Sequence, residues 1–521
     1  MHDGEAITQP SRNIPRQPDL TTPLHGALAG ALLTAALVGI SYCGWKTAGL
    51  PFAPFDIFDW IVRGLPGAFV TRVIELNVLA ARALGVTSIS AAAKAGDQAL
   101  ALLGVLSAGV VSGALLFALL RLSSEPALLF GAILGAILGG LALMAETHLQ
   151  RLPPQSIVGG AWVLGTFVAW GLSFGWTHDR LRLPPVVTSL QSTVTSRASS
   201  VAGRRRFLRH FGVATLVTTA ASTILGALAG RWSRAATGPR WSDDHVLPNA
   251  ASRVMPVRGT RAEFTRLEDH YRIDTNTRAP QLDADRWRLA VGGLVDRPRS
   301  IALAELRGFP PSHEFITLSC ISNPVGGDLI GTTRWSGVSL QQLLPAFALQ
   351  PSATHLKVTS ADGFFEVVAL DTIRSDPRVM LAYEWDGVPL STEHGFPLRL
   401  YVPDLYGMKQ PKWIVAIDAI DHWEPGFWVS RGWDREGHVT TTAAVDAVVR
   451  RGDVVEVGGF AYAGARAILR VEVRADEGEW QPAQIREPMS STAWVLWRSE
   501  IRLPEGQHRF EARAFDIRKD G

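Results

Sequence analysis

The stretch EFITLSCISNPVGG, residues 314–327, runs from an apolar, strand-like segment into a glycine-rich turn, with a cysteine at the junction. A lone cysteine is most often a small buried hydrophobe. The strand-to-loop boundary gives Cys320 two further interpretations, because a thiolate is a soft ligand for a transition metal and also a nucleophile. Cys43, the other cysteine, lies in a long apolar segment, where we expect it only to pack.

Composition excludes several classes of protein. With two cysteines and no CxxCH motif in 521 residues, the chain cannot form a disulfide scaffold, a cysteine-ligated zinc site, a cysteine-held iron–sulfur cluster or a c-type haem. Extensive disorder is excluded because 47% of the residues are hydrophobic and only 19% are charged. A net charge of +3 on this length gives no reason to expect nucleic acid as a partner.

Five windows without Asp, Glu, Lys or Arg divide the chain into an apolar half and a polar half. Each is long enough to cross ~30 Å of hydrocarbon as a helix, and its small residues would let neighbouring helices approach closely. The windows are 20–45, 98–120, 126–145, 152–178 and 210–230. One such window could be a buried helix of a soluble protein, but five in a row predict a transmembrane α-helical bundle.

The arginine-rich loop 179–209 sets the predicted orientation. Positive-inside bias places its seven arginines in the cytoplasm. We therefore predict a cytoplasmic tail at 1–23, a four-span membrane region at 24–178, a basic cytoplasmic loop at 179–206, a fifth span at 207–230 and an extracytoplasmic remainder. An opposing observation is that several cations would then lie outside, namely Lys46, Arg63, Arg72, Arg82 and Lys94.

The sequence GRRRFLRHFG at 203–212, just before the last span, resembles a twin-arginine export signal. Such signals normally stand at the N-terminus, whereas this one is internal. Twin-arginine export carries folded proteins and is needed when a cofactor must be inserted before crossing. The alternative is that Arg204 and Arg205 are ordinary anchoring charges.

Two amphipathic stretches lie between the first two spans, FDIFDWIVRGL at 55–65 and FVTRVIELNVLAARAL at 69–84. They could lie along a membrane surface. A cap packed over the bundle explains the pattern equally well.

The polar half carries strand patterns. WRLAVGGLV at 287–295 alternates apolar and polar residues, and short strands, turns and helices follow, so we predict an α+β domain at 255–442. After residue 443 the alternation continues through several strands, as in AILRVEVR, where Leu469, Val471 and Val473 face one way. This predicts an immunoglobulin-like β-sandwich at 443–521.

Residues 264–521 resemble the sulfite oxidase superfamily of molybdenum-cofactor enzymes, and most of all its bacterial membrane-anchored, molybdopterin-dependent members. The order and spacing of five motifs carry this resemblance. The motifs are YRIDTNTRAPQLDADRWRL (271–289), TLSCISN (317–323), RWSGVSL (334–340), LAYEWDGVPLSTEHGFPLRLYVPDLYGMKQPKW (381–413) and FWVSRGW (427–433).

The resemblance implies roles for individual residues. Cys320 matches the thiolate that ligates molybdenum, and Asn323 repeats the family's cysteine-x-x-asparagine. The remaining matches are to residues that contact the pterin or its phosphate: Tyr271, Arg272, Asp362, His394, Arg399, Gln410, Pro411 and Lys412.

Two positions depart from the sulfite oxidase pattern. Val325 stands where those enzymes carry an oxyanion-binding arginine, and Trp433 stands where they carry a catalytic tyrosine. Indole has no ionisable hydroxyl, so Trp433 cannot carry a proton in that way. Arg431 and Arg435 lie nearby in the sequence and could restore positive potential, although surface arginines are an equal alternative.

The resemblance implies a molybdopterin-dependent oxidoreductase that performs two-electron or oxygen-atom transfer on a small or sulfur-containing substrate. A sulfoxide reductase similar to the periplasmic methionine-sulfoxide reductases and a catalytically silent, membrane-tethered scaffold are the alternatives. No haem or iron–sulfur cluster is expected in this chain. Two cysteines are too few for a cluster, and His25, His148, His178 and His210 all lie near span ends, so the spans lack an obvious paired-histidine haem site. We therefore expect membrane lipid around the spans, a separate cytochrome or quinone system as electron carrier, and pairing of two copies through the C-terminal domain.

Overall fold

The structure is a computed structural model that describes residues 21–517 except 71, 74–75, 77–78, 80–88, 124, 150–155, 183–192 and 231–237. For 89–91, 193–205 and 229–230 it describes the backbone alone. The chain forms two compact units. The first comprises Met1–Pro54, Ala101–Glu146 and Pro154–Trp232, and the second comprises Phe55–Leu100, Thr147–Pro153 and Ser233–Gly521.

Long helices dominate the N-terminal half. In chain order they are α1 (Pro23–Ala48), α2 (Ala53–Gly64), α3 (Ile89–Leu120), α4 (Ala127–His148), α5 (Ile157–Leu181) and α6 (Thr193–Gly230). Within the described residues, five helical segments are long and apolar enough to cross a membrane by length and composition: Pro23–Ala48, Ala92–Leu120, Ala127–His148, Ile157–Leu181 and Arg206–Leu228. The prediction of five long apolar helices is thereby confirmed.

Small residues allow helices of the first unit to pack closely. A Cβ atom added to Gly131 on α4 would lie 2.2 Å from the carbonyl oxygen of Gly171 on α5, and a Cβ added to Gly171 would lie 2.1 Å from that of Gly131. Any larger side chain at either position would force the two backbones apart.

Two five-stranded sheets form the α+β part of the second unit. One has the order β2-β1-β10-β5-β6, with β1 and β10 parallel, and the other has the order β3-β4-β7-β8, with β9 added to β7. The strands are β1 (Arg288–Gly293), β2 (Arg299–Ala302), β3 (Ser312–Ser319), β4 (Ile330–Ser339), β5 (His355–Ser360), β6 (Phe365–Ala369), β7 (Met380–Trp385), β8 (Val388–Pro389), β9 (Arg399–Tyr401) and β10 (Ile414–Ile420). Short helices complete this part, namely α7 (Trp241–Asp244), α8 (Leu303–Leu306), α9 (Leu340–Leu343) and α10 (Leu370–Ser375).

The predicted strand at 287–295 is β1, and its alternation has the expected consequence. Leu289 and Val291 are buried in the main apolar core, while Arg288 and Ala290 are exposed. Trp287, just before β1, donates from Nε1 to the carbonyl oxygen of Ile414 at 2.9 Å and so ties β1 to the start of β10.

The C-terminal region is β-rich, as predicted. Two antiparallel sheets, β11-β12-β16-β15 and β14-β13-β17, share one apolar core that includes Val457, Val471 and Trp497. The strands are β11 (Thr442–Arg451), β12 (Val454–Tyr462), β13 (Ile468–Ala475), β14 (Gln481–Pro482), β15 (Gln484–Ile485), β16 (Val495–Arg502) and β17 (Phe510–Asp516). The immunoglobulin-like arrangement of these strands stays a prediction.

The prediction that Leu469, Val471 and Val473 share one face of a strand is wrong for Leu469. Val471 and Val473 on β13 are buried, but Leu469 is 61% exposed. The pairing of β13 with β17 shifts register between Ile468 and Arg470, so an irregularity interrupts the alternation at Leu469.

Candidate active site

A cavity of about 1100 Å³, counting its open mouth, lies in the second unit. We call it the cofactor cavity. Most of the residues that the sequence singled out line it, namely Tyr271, Cys320, Asp362, His394, Arg399, Gln410, Lys412 and Trp433. Arg272, Asn323, Pro411 and Arg431 are not among its lining residues.

Cys320 directly follows β3 and is 9% exposed. Its backbone N–H donates to the carbonyl oxygen of Leu329 at 2.9 Å, and its own carbonyl oxygen accepts from the N–H of Asn323 at 3.0 Å. The Asn323 side-chain oxygen accepts from the N–H of Leu329 at 2.9 Å, so Asn323 closes the turn that positions the cysteine. Burial raises the pKa of the Cys320 thiol, and binding of a metal would deprotonate it.

His394 is held as a neutral imidazole. Burial, reinforced by nearby cations, lowers its pKa well below the ordinary histidine value. Nδ1 lies 2.8 Å from the Ser391 hydroxyl and Nε2 lies 3.2 Å from the carbonyl oxygen of Tyr271. Because a carbonyl only accepts, this network assigns the ring proton to Nε2.

Arg399, on β9, is a buried cation at 4% exposure. It donates to the carbonyl oxygen of His394 at 3.1 Å and lies 4.7 Å from the centre of the Trp335 ring. Burial lowers the pKa of Arg399 to about 10, which leaves it charged at neutral pH. No carboxylate in the described part of the chain lies within ion-pair distance of it, so its charge is available to an anionic ligand.

Lys412 supplies a second cation to the cavity. Its Nζ atom lies 3.4 Å from Asp274 Oδ2 and donates to the carbonyl oxygens of Ile273 at 3.2 Å and Glu393 at 3.1 Å. Burial lowers the pKa of Lys412 to about 8, although Asp274 opposes that shift. The neighbouring Pro411 accepts at its carbonyl oxygen from the N–H of Leu400 and so fixes the loop to β9.

Asp274 is a cavity residue to which the sequence argument gave no role. Its carboxylate pairs with Arg272 at 2.8 Å, Lys94 at 3.2 Å and Lys412 at 3.4 Å. Burial would raise its pKa, but the three cations outweigh burial and hold the pKa well below the ordinary range. The motif YRIDTNTR contains Asp274, so proximity to Arg272 was the available signal.

Asp362, in the turn between β5 and β6, is 2% exposed. Its carboxylate accepts from the Asn276 side-chain amide at 2.6 Å and from the N–H of Phe364 at 3.1 Å. Arg63 of α2 also contacts it, with Nη2 at 3.7 Å from the carboxylate and Nη1 donating to the Asp362 carbonyl oxygen. Asp362 therefore holds neighbouring protein groups in place at the edge of the cavity.

Neither Arg431 nor Arg435, the two arginines that could replace the missing cation, lines the cofactor cavity. Val325 is 74% exposed and does not line the cavity. Arg431 lies 3.8 Å from the centre of the Phe427 ring and donates to the carbonyl oxygen of Arg63 at 3.0 Å. Arg435 lies over the Trp423 ring at 4.2 Å. Of the two positions that depart from the sulfite oxidase pattern, Val325 and Trp433, only Trp433 is a lining residue of the cavity.

The residues present fit a molybdopterin bearing molybdenum. The cavity combines one soft sulfur ligand at Cys320 with two cations, Arg399 and Lys412, that suit a phosphate. The Ser360 hydroxyl, also in the lining, is buried and has no hydrogen-bond partner within the described residues. An anionic, polar cofactor would provide that missing partner.

Comparisons with known proteins agree with this chemistry. The oxidoreductase molybdopterin binding domain matches residues 276–428, and the Mo-co oxidoreductase dimerisation domain matches residues 436–519. Mitochondrial sulfite oxidase of Homo sapiens is 30% identical over 279 residues, covering 44% of this chain and 51% of that protein. The uncharacterized oxidoreductase YuiH of Bacillus subtilis is 30% identical over 155 residues, covering 30% of this chain and 76% of that protein.

Among solved structures, the sulfane dehydrogenase SoxCD from Paracoccus pantotrophus matches with a TM-score of 0.42 and 23% identity, over 46% of this chain and 70% of that one. The chain spans about half the length of the sulfite oxidases that it matches. The two matched domains and the cavity built around Cys320 place the chain in the sulfite oxidase superfamily, as a molybdenum-dependent oxidoreductase that binds the molybdopterin cofactor.

Proposed function

We propose that the protein is a membrane-anchored, extracytoplasmic oxidoreductase that moves an oxygen atom and two electrons between molybdenum and a small, weakly charged substrate. The observation that carries the proposal is the cofactor cavity, where the predicted metal ligand Cys320 shares one lining with Arg399, Lys412 and the neutral His394. When bound, the molybdenum cofactor supplies the two-electron chemistry and the exchange of oxygen with water.

The protein groups bind and orient the cofactor. Arg399 and Lys412 provide the positive charge for its phosphate, and Gln410 and Tyr271 complete the lining. His394, neutral and bonded at both ring nitrogens, is a fixed donor–acceptor pair rather than a mobile acid. Asn323, Asp362 and Pro411 act indirectly, by holding the cysteine turn and the neighbouring loops.

Trp433 and Trp428 both line the cofactor cavity, with ring centres 5.4 Å apart. Their apolar faces favour a neutral, bulkier ligand over a small dianion. This pair supports a sulfoxide or a related oxo compound as substrate, with sulfoxide reduction as the second candidate function.

The substrate preference can be tested by steady-state kinetics on purified holoenzyme with an artificial redox dye. We expect poor turnover of sulfite and better turnover of sulfoxides. Loss of one charge-assisted contact costs ~1.5–3 kcal/mol, or about ten- to a hundredfold in affinity, and loss of a proton-transferring tyrosine costs about 10²–10⁴ in rate. Sulfite oxidation with kcat/KM of ~10⁴ M⁻¹s⁻¹ or above would contradict this prediction.

A matched pair of variants tests the role of the second departure. Trp433→Tyr restores the hydroxyl inside the cavity and should raise sulfite turnover, whereas Trp423→Tyr, outside the cofactor cavity, should change nothing. Equal effects of the two substitutions would show that the ring at position 433 does not govern the substrate.

The location of the catalytic unit is proposed from the basic loop and the twin-arginine motif. Five apolar helices support membrane anchoring, while the side chains of Arg204 and Arg205 lie outside the part of the chain that the structure describes. Changing both to Lys keeps the charge but removes the guanidinium pair. We expect the catalytic unit of that variant to stay protected from protease added to spheroplasts. If the catalytic unit of the variant still appeared outside at normal yield, the two arginines would be ordinary anchoring charges.

The partners are proposed on two observations. The resemblance to the sulfite oxidase superfamily, together with the match of residues 276–428 to its molybdopterin binding domain, supports a separate electron carrier, a cytochrome or a quinone. Residues 436–519 match the Mo-co oxidoreductase dimerisation domain, and this match supports pairing of two copies through the C-terminal sheets.

A further inference from the structure

A second cavity of about 1060 Å³, counting its open mouth, adjoins the cofactor cavity within the second unit. We call it the side cavity. Five residues line both cavities: Ala93, Ile273, Asp274, Thr275 and Trp428. Seven further lining residues are apolar, namely Phe58, Val62, Leu65, Phe69, Val70, Val73 and Phe427, and the others are polar or charged, namely Asp59, Arg63, Lys94, Asp97, Arg272, Asn276, Thr277 and Arg431. This size and lining are typical of a site for a small organic molecule.

Two polar atoms in this lining lack a partner. The Nη2 atom of Arg272 and the Oγ1 atom of Thr275 are buried and make no hydrogen bond to any described residue. Both can donate, and Arg272 also anchors itself through Nε to Asp274 at 2.8 Å. A ligand oxygen at that place would provide the missing acceptor. Cations of the lining are already paired within the protein, as Lys94 is with Asp274 and Arg63 is with Asp362, so a neutral carbonyl or phenolic oxygen fits better than a phosphate.

The chain segments that line the side cavity are continuous with candidate membrane spans. Phe58 and Val62 lie on α2, which follows α1 after a short connection, and Ala93 lies in the first turns of α3, which continues as the candidate span Ala92–Leu120. A ligand that is soluble in lipid is therefore the kind that these segments would meet.

We propose that the side cavity binds a quinone, which serves as the two-electron partner of the molybdenum centre; this inference rests on the proposed function. A quinone has a flat apolar ring that packs against Phe and Trp side chains and carbonyl oxygens that accept from Arg272 and Thr275. The shared wall brings its ring next to the cofactor cavity. This reassigns Arg272 from the pterin to the quinone.

The reaction balances in either direction. For oxidation, substrate, water and quinone give the oxygenated substrate and quinol: the water oxygen goes to the substrate, and its two protons and two electrons reach the quinone. For reduction, quinol gives up two electrons and two protons, the substrate oxygen leaves as water, and quinone is released. Asp97 lies in the side-cavity lining, and its side chain is 35% exposed. In this proposal its carboxylate passes protons between the ligand and the solvent.

The test uses the full-length, molybdenum-loaded protein in detergent, without oxygen and without substrate. Decylubiquinol is added to the oxidised enzyme and decylubiquinone to the dithionite-reduced enzyme, and the metal spectrum is followed. We expect saturable redox exchange in at least one direction. No exchange with either probe, in protein whose metal responds to dithionite and whose dye-coupled turnover is normal, would overturn the quinone site. Absence of metal and of dye-coupled turnover would instead defeat the proposed function.

Val62→Trp fills the side cavity, and Ile61→Trp is the matched control because Ile61 is the adjacent residue on α2, 52% exposed and not in the lining. We expect Val62→Trp to slow quinol exchange about tenfold or more by occupying the site, with metal content and dye-coupled turnover unchanged, and Ile61→Trp to change neither. If Val62→Trp lowers dye-coupled turnover equally, the cavity is a substrate path and the proposal fails. It also fails if quinol exchange is unaffected. The wild-type titration decides the matter if the variant does not fold.

Discussion

The Cys320→Ser variant is expected to lose all turnover while keeping its fold. The serine hydroxyl is a hard, protonated oxygen in place of a soft thiolate, so the metal loses its protein ligand. Cys320 is the cysteine in the cavity lining, and the turn that carries it is closed by backbone bonds and by Asn323, none of which uses the sulfur atom. The metal absorption spectrum, circular dichroism and dye-coupled turnover together measure this result.

Cys43→Ser is the matched control for that prediction. Cys43 lies on α1 in the first unit and is not in the cofactor cavity, so its loss should leave the spectrum and turnover unchanged. Wild-type protein from a cofactor-competent host should contain about one molybdenum per chain, since the cavity offers one thiolate ligand. Full activity in Cys320→Ser would refute its role as ligand, and metal-free wild type would favour the silent scaffold.

Local sequence patterns predicted much of the fold and of the cofactor cavity. Charge-free windows indicated the long apolar helices, because uncharged apolar stretches of about 20 residues are typical of membrane-spanning helices and uncommon in soluble domains. Alternation indicated β1, and the resemblance to the sulfite oxidase superfamily implied that Cys320, His394, Arg399 and Lys412 would meet. All four line one cavity, although Cys320 lies in the motif 317–323 and the other three lie in the motif 381–413.

The contacts that local patterns could not predict are charge pairs between distant segments. Arg63 reaches Asp362 and Asn276, and Lys94 reaches Asp274, yet in the sequence both are single cations within apolar stretches. Which carboxylate a cation meets depends on how whole segments pack, and spacing carries no information about it. The 55–65 stretch packs as a cap on residues 274–278 and Asp362 of the second unit, which are partners that neither sequence interpretation named.

This cap and Lys94 on α3 together hold the segment 274–278 through a set of buried polar contacts that we call the clasp. Asp56 on α2 forms an ion pair with Arg278 at 2.5 Å, with side-chain exposures of 0% and 13%. Asp59 accepts from the N–H of Thr277 at 2.9 Å, and Lys94 pairs with Asp274 at 3.2 Å. Because Asp274 and Thr275 line the cofactor cavity, the clasp positions part of the cofactor site.

Asp56→Ala is therefore expected to weaken cofactor retention without touching the cavity. Removing one partner of a buried ion pair costs roughly 3–5 kcal/mol, because the remaining charge loses a buried counterion. The segment 274–278 should then loosen, and the variant should lose molybdenum faster than wild type on dilution, with a lower Tm.

Asp371→Ala is the matched control, since Asp371 is 93% exposed beside Arg374 and such pairs contribute at most ~1 kcal/mol. Adding Arg278→Met to Asp56→Ala should restore part of the retention, because the double variant no longer buries the Arg278 charge without its Asp56 counterion. Wild-type retention in Asp56→Ala, or equal loss in the Asp371 control, would show that the clasp does not position the cofactor site.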